Sequence, residues 1–149
     1  MRAVVQRVIA CSVHVDGRLT GSIESGLLVY LGVGKNDTSK DLTALCDKIV
    51  NLRIFTDDQG KMNLSVLDVR GEILVVSQFT LFGDAREGRR PSYTEAAAPE
   101  IARTLYESAL SQLAVSGLRI EHGEFQASME VAYTNSGPVT ILLDTEKRF

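Results

Sequence analysis

Two short segments of this chain concentrate the residues able to do chemistry. Ser77-Gln78-Phe79-Thr80-Leu81 closes an apolar run with two hydroxyls and an amide, and Asn135-Ser136-Gly137-Pro138-Val139-Thr140 sits between two strand-like runs. Mid-strand, a proline removes a ladder donor and fixes its own φ, so it marks an edge, a bulge or a break. A glycine before it lets the backbone approach a ligand that a Cβ would repel. Taken singly, a Gly-Pro pair is an ordinary turn, and strand-end hydroxyls commonly bond nearby backbone. Thr80 is the residue most easily cast as a nucleophile, but a threonine hydroxyl needs an activating base and none is near it in the sequence. The two histidines, His14 and His122, belong to no Ser/His/Asp set, and surface or structural roles suit both. Metal-ligand spacing is missing, so no metal and no other cofactor is expected.

The net charge of −3 argues against a globally basic nucleic-acid binder, so any contact with RNA must use a local patch. Arg86-Glu87-Gly88-Arg89-Arg90 is the candidate, short enough to suit the end of an RNA rather than a long duplex, although by itself such a run reads first as a solvated loop. Cys11 and Cys46 make no disulfide framework, and a reduced, cytoplasmic setting is expected. No segment approaches the ~20 apolar residues that span a bilayer, and no signal peptide is recognisable. At 149 residues the chain fits one domain, 1–149, with ordinary apolar content.

Those segments must be positioned by a strand-rich scaffold. Val4 to Val8 reads as a strand, and Cys11, Val13 and Val15 alternate with polar residues ahead of Asp16-Gly17, a hairpin signal returning through Leu19 to Ile23. Gly26 to Val33 is nearly all apolar, as in a strand covered on both faces. Thr38 and Asp41 have capping-box spacing, and Leu42, Leu45, Cys46 and Ile49 form an amphipathic stripe. Met62 to Leu67 alternates like a strand, and Ile73 to Thr80 reads as a buried one. Gly83 to Thr94 is a long irregular loop of the kind that tends to carry function. A second helix should start near Pro99 and stop by Gly117, its stripe built from Ile101, Leu105, Leu110 and Leu113 with Tyr106 and Ala109 alongside. Strands are predicted at Leu118 to His122, Glu124 to Thr134 and Val139 to Asp144. The sum is an α+β domain with a mainly antiparallel sheet and two main helices.

The whole chain resembles the D-aminoacyl-tRNA deacylases. Six matches fall in order: Gln6-Arg7-Val8 within the opening Arg2 to Val8, the Ser77 to Leu81 segment, Gly88-Arg89-Arg90-Pro91-Ser92-Tyr93, Asn135, Gly137-Pro138-Val139-Thr140, and Leu143-Asp144-Thr145. Two positions depart from the pattern: Gln126 stands where glycine is expected, and Ser136 replaces an acidic residue. The resemblance implies a strongly curved, barrel-like sheet and a homodimer in which the Gly-Pro segment of one subunit reaches into the site of the other.

It also implies the reaction: hydrolysis of the ester between D-amino acids, or glycine, and the 3′-terminal adenosine of tRNA. In the family the Gly137–Pro138 bond is cis, its carbonyls accept the substrate ammonium, and an L-side chain finds no space. Ser77, Gln78, Phe79 and Thr80 would be the catalytic segment, with backbone N–H groups near Gln78 and Phe79 holding the ester oxygen and Thr80 orienting. Arg7 would brace the Gly-Pro loop, since guanidinium donors bind carbonyls in a fixed fork, with a surface strand arginine an equal alternative from the residues alone. Phe125, Ala127 and Met129 would line the adenosine pocket, with core packing an equal alternative from the residues alone, and Arg89 and Arg90 would meet the tRNA. An L-specific editing hydrolase and a noncatalytic tRNA-end-binding protein are the rival readings.

Overall fold

A computed structural model describes residues 1–149. Its first strand, β1 (Arg2–Val15), joins the two runs expected separately. Asp16 and Gly17, at φ +50 and +76, make the tight turn into β2 (Arg18–Ile23). Two successive positive φ values match the twist of a hairpin, which is why Asp-Gly serves here. β3 (Gly26–Gly32) pairs antiparallel with the first half of β1, placing Val5 opposite Val29.

The chain then alternates helix and strand. α1 (Ser39–Asn51) leads through a small hairpin, β4 (Phe55–Thr56) and β5 (Met62–Leu64), to β6 (Glu72–Ser77). α2 (Pro99–Ala114) leads to β7 (Ile120–His122). β6 lies parallel to β3, and β7 parallel to β6. Parallel neighbours need long crossovers, which these helical connections provide. The sheet is therefore mixed, antiparallel around β1 and parallel beyond β3, rather than mainly antiparallel throughout. β8 (Glu130–Asp144) completes it along the other edge of β1. Gly21 of β2 and the His122 carbonyl of β7 approach closely, so the sheet curls almost into a barrel.

Both faces of the central strands are covered. Leu27, Val29, Ile73 and Val75 pack under the helices, whereas Leu28, Leu74 and Val76 meet Val8, Cys11, Val13 and Ile23 inside the curl. That explains the apolar runs without alternation. α1 is built as its spacing predicts: Thr38 N–H donates to Asp41 at 2.9 Å, and Leu42, Leu45, Cys46 and Ile49 are buried. In α2 the buried stripe is Tyr106, Ala109 and Leu113, while Ile101 is 51% exposed. Ile101 lies about 100° round the helix from Ala102, whose side packs on the core.

Two further expectations change. The predicted strand from Glu124 begins only at Glu130, because a turn closes from Ala127 N–H to the Glu124 carbonyl at 3.2 Å. Phe79 and Thr80 leave the sheet for a 3-10 turn, Phe79–Phe82.

Candidate active site

β6 delivers Ser77 to the sheet edge, and the Gln78 N–H makes a last ladder bond to the Leu31 carbonyl at 2.8 Å. The chain then tightens into the 3-10 turn, closed by Gly83 N–H to the Thr80 carbonyl at 2.9 Å. Opening N–H groups of such a turn have no partner within it, so Phe79 and Thr80 present donors. Gln78 does not, since its N–H is taken by Leu31. Arg2 fixes the turn from behind: Nη1 donates to the Leu81 carbonyl at 2.9 Å, and the guanidinium lies 4.5 Å from the Phe82 ring centroid. Sequence reasoning gave Arg2 no such role. Its position in the opening segment was the available signal.

The Gln78 side-chain amide donates to the Thr80 hydroxyl. An amide is not a base, so this contact orients Thr80 without activating it.

Beside this turn opens a cavity of about 830 Å³, within the usual range for small-molecule sites. Ser77, Gln78 and Phe79 form one wall, Ala96, Ala97 and Tyr106 another, and Phe125, Ala127 and Met129 a third. The three candidate pocket residues thus converge on it, but from a turn rather than a strand face. Gln126 takes φ +65 there, a left-handed conformation that costs a residue other than glycine about 1–2 kcal/mol. Tyr106, Tyr93 and the alanines were missed as site residues, because they join it only through tertiary packing. Tyr93 stands edge-on to Phe79 with centroids 5.1 Å apart, making an exposed aromatic rim.

No carboxylate, histidine, lysine, arginine or cysteine lines the cavity. Its ionisable groups are Tyr93 and Tyr106, and burial pushes the Tyr106 phenol far above its usual range while its hydroxyl donates to the Val75 carbonyl at 3.0 Å. The site therefore offers shape and apolar surface beside the 3-10 turn, with no carboxylate or imidazole to take a proton. His122 lies outside, its Nδ1 2.7 Å from the Gly123 carbonyl, and His14 lies in β1. No group of three or more His, Cys, Asp or Glu side chains is arranged to hold a metal.

Gly137 and Pro138 do not line this cavity. β8 pairs Asn135 with Val8 and Thr140 with Gln6, so Ser136 to Val139 all face the single residue Arg7 and bulge from the sheet. Arg7 ties the bulge down, with Nε donating to the Ser136 carbonyl at 3.3 Å and Nη1 to the Ile54 carbonyl at 2.6 Å. Asn135 Nδ2 bridges its base, reaching the Arg7 carbonyl at 2.9 Å and the Val139 carbonyl at 3.1 Å. The chain contains no cis peptide bond, so Gly137–Pro138 is trans, correcting the cis geometry implied by the resemblance. The chain turns instead through Gly137 at φ +111, a conformation open to glycine because it lacks a Cβ.

The arginine loop is pinched by reciprocal 2.8 Å backbone bonds between Asp84 and Ser92. Arg86 is paired with Asp84 at 2.5 Å, and its hydrogen bonds hold the Asp84 carboxyl down to about 2. Arg89 and Arg90 are exposed and carry no ion pair, so they alone remain available.

A family model described as D-Tyr-tRNA(Tyr) deacylase matches residues 4–144. A protein named D-aminoacyl-tRNA deacylase from Thermosipho africanus is 57% identical, with 100% of each chain covered. One of the same name from Halothermothrix orenii is 58% identical, again over 100% of both. A solved structure titled c-Myc DNA Unwinding Element Binding Protein superposes with a TM-score of 0.92 at 44% identity, covering 97% of this chain and 99% of that one. With a family model matching residues 4–144 and relatives more than half identical over their full length, the chain belongs to the D-Tyr-tRNA(Tyr) deacylase family.

Proposed function

We propose that this protein hydrolyses the ester joining D-amino acids, and glycine, to the terminal adenosine of tRNA, and that it spares L-aminoacyl-tRNA. The relatives' names support the class of reaction. The observation that carries the reading is the apolar cavity beside Ser77 to Phe79, large enough for a nucleoside and free of acid or base side chains. An aminoacyl ester is already activated, so placement and charge stabilisation suffice. Water attacks the carbonyl carbon, the bond to the ribose oxygen breaks, and that oxygen leaves with a proton. Phe79 and Thr80 N–H groups receive the developing oxyanion, and a ribose hydroxyl of the substrate assists the water. Phe125, Ala127 and Met129 hold the adenine, while Arg89 and Arg90 meet tRNA phosphates.

Chirality is judged by the Gly137–Pro138 bulge, in a homodimer where it faces the Ser77 to Thr80 segment of the partner. Three features support this. The bulge is fastened by Arg7, it lies away from its own chain's cavity, and β8 is a fifteen-residue edge strand with Tyr133 and Leu142 exposed. A rigid obstacle that excludes one hand discriminates more readily than added attraction; about 10⁴-fold needs ~5.5 kcal/mol. The trans bond leaves the obstacle in place, and the cis form is not part of this reading. A protein acting on aminoacyl-tRNA works in the cytoplasm, and no helix here is long and apolar enough to cross a membrane.

Time courses with matched D- and L-tyrosyl-tRNA test the proposal. Catalytic release of D-tyrosine, with the L-ester surviving, is expected. Faster loss of the L-ester would establish an L-editing hydrolase, and protection of both esters would establish a binding protein.

A further inference from the structure

Gln126 occupies the third position of the Glu124–Ala127 turn at φ +65, a place ordinarily taken by glycine or asparagine. Its side chain is engaged rather than free: Oε1 accepts a 3.1 Å hydrogen bond from Arg103 Nη2 on α2. The same guanidinium lies 4.7 Å from the centroid of the Phe125 ring, a cation–π distance. Phe125 in turn tilts against Tyr106 at 5.7 Å, and Tyr106 is anchored on the Val75 carbonyl. Arg103 has one acidic partner, Glu107, at 3.9 Å and exposed, a pairing too weak to fix the guanidinium elsewhere.

We infer that Arg103 and Gln126 form a clasp that holds Phe125 as a fixed wall of the cavity, making both positioning residues for the nucleoside end of the substrate. This rests on the cavity being the nucleoside pocket. The turn is closed by one backbone bond of 3.2 Å and its first residue, Glu124, is paired with Arg18 at 2.8 Å, but neither contact holds Gln126 itself, which carries the unfavourable φ. Untethered, it would have to be ordered by the incoming substrate, which weakens binding and leaves the reacting groups untouched.

Steady-state hydrolysis of D-tyrosyl-tRNA by the whole protein tests the clasp. Arg103→Ala and Gln126→Ala are each expected to raise KM about 5- to 10-fold with kcat held within about twofold. The double variant should be no worse than either single one, because both break one contact chain. Arg103→Lys, which keeps the charge and loses the fork, should recover part of the affinity. Gln126→Gly should melt higher yet still raise KM, a combination that a purely structural role would not give. Additive KM effects in the double variant would overturn the clasp. So would unchanged KM in both alanine variants while Phe125→Ala raises it, a result that leaves the pocket assignment standing. Unchanged KM in Phe125→Ala removes the clasp and the pocket assignment together.

Discussion

The Arg7 guanidinium fills the space in which Gly137 would carry a side chain: a Cβ there would lie 2.5 Å from Nη2 and 3.0 Å from Val139 Cγ2. One residue of β1 thus dictates the identity of the residue at the tip of the bulge. Gly137→Ala must displace Arg7 and also hold φ +111, which is unfavourable for any L-side chain. A stability loss of about 1–3 kcal/mol is expected in chemical denaturation. D-tyrosyl-tRNA hydrolysis should fall by at least about tenfold, because a 1 Å displacement near reacting atoms is costly. Wild-type behaviour on both counts would separate the bulge from the activity.

Thr80→Ala should leave substantial activity. The only side-chain partner of its hydroxyl is the Gln78 amide, and no acid or base lines the adjoining cavity. Single-turnover rates compared with tRNA binding decide the matter. Near-total loss of chemistry with intact binding would make Thr80 the nucleophile.

The Val75 carbonyl accepts from both the Tyr106 hydroxyl and the Gly123 N–H, each at 3.0 Å, so it couples α2, β6 and the chain entering the pocket turn. Tyr106→Phe removes one of the two donors. A stability loss of about 1 kcal/mol is expected, with kcat unchanged. A large fall in kcat would place the phenol in the reaction itself.

Much of this architecture was legible in the residues. Asp16-Gly17 announced its hairpin, and Thr38 with Asp41 announced the cap of α1, because both signals are local. The Ser77 to Thr80 and Gly137–Pro138 segments stood out by their resemblance to a family's motifs, and Ser77, Gln78 and Phe79 line the cavity while Gly137 and Pro138 do not. The parallel placement of β6 and β7 was not legible, since strand order depends on how two distant helices pack. Ile101 was misread because a one-residue shift in helical phase moves a side chain from core to solvent. The turn at Gln126 was hidden for a different reason: glutamine is an uncommon left-handed residue, and its Arg103 tether lies 23 positions away. The pocket brings Ala96 and Ala97 against Phe125 and Met129, a meeting that no local pattern encodes.

Burial pushes both thiols, Cys11 and Cys46, up to about 11. They should be protonated and inert at neutral pH. Native protein at pH 7.5 should react negligibly with a thiol reagent over minutes and keep its activity, whereas two thiols should appear on denaturation. Rapid inactivation by the reagent would point to an unrecognised thiol function.

Mixing two defective variants asks most directly whether the bulge of one protomer serves the proposed catalytic turn of another. Gly137→Ala damages the bulge, and Phe79→Ala damages the turn and its aromatic rim. In the proposed homodimer, subunit exchange would make half the dimers mixed, each with one intact site, so activity on D-tyrosyl-tRNA should recover to about a quarter of wild type. Activity no greater than the sum of the two parents would contradict a site shared between subunits.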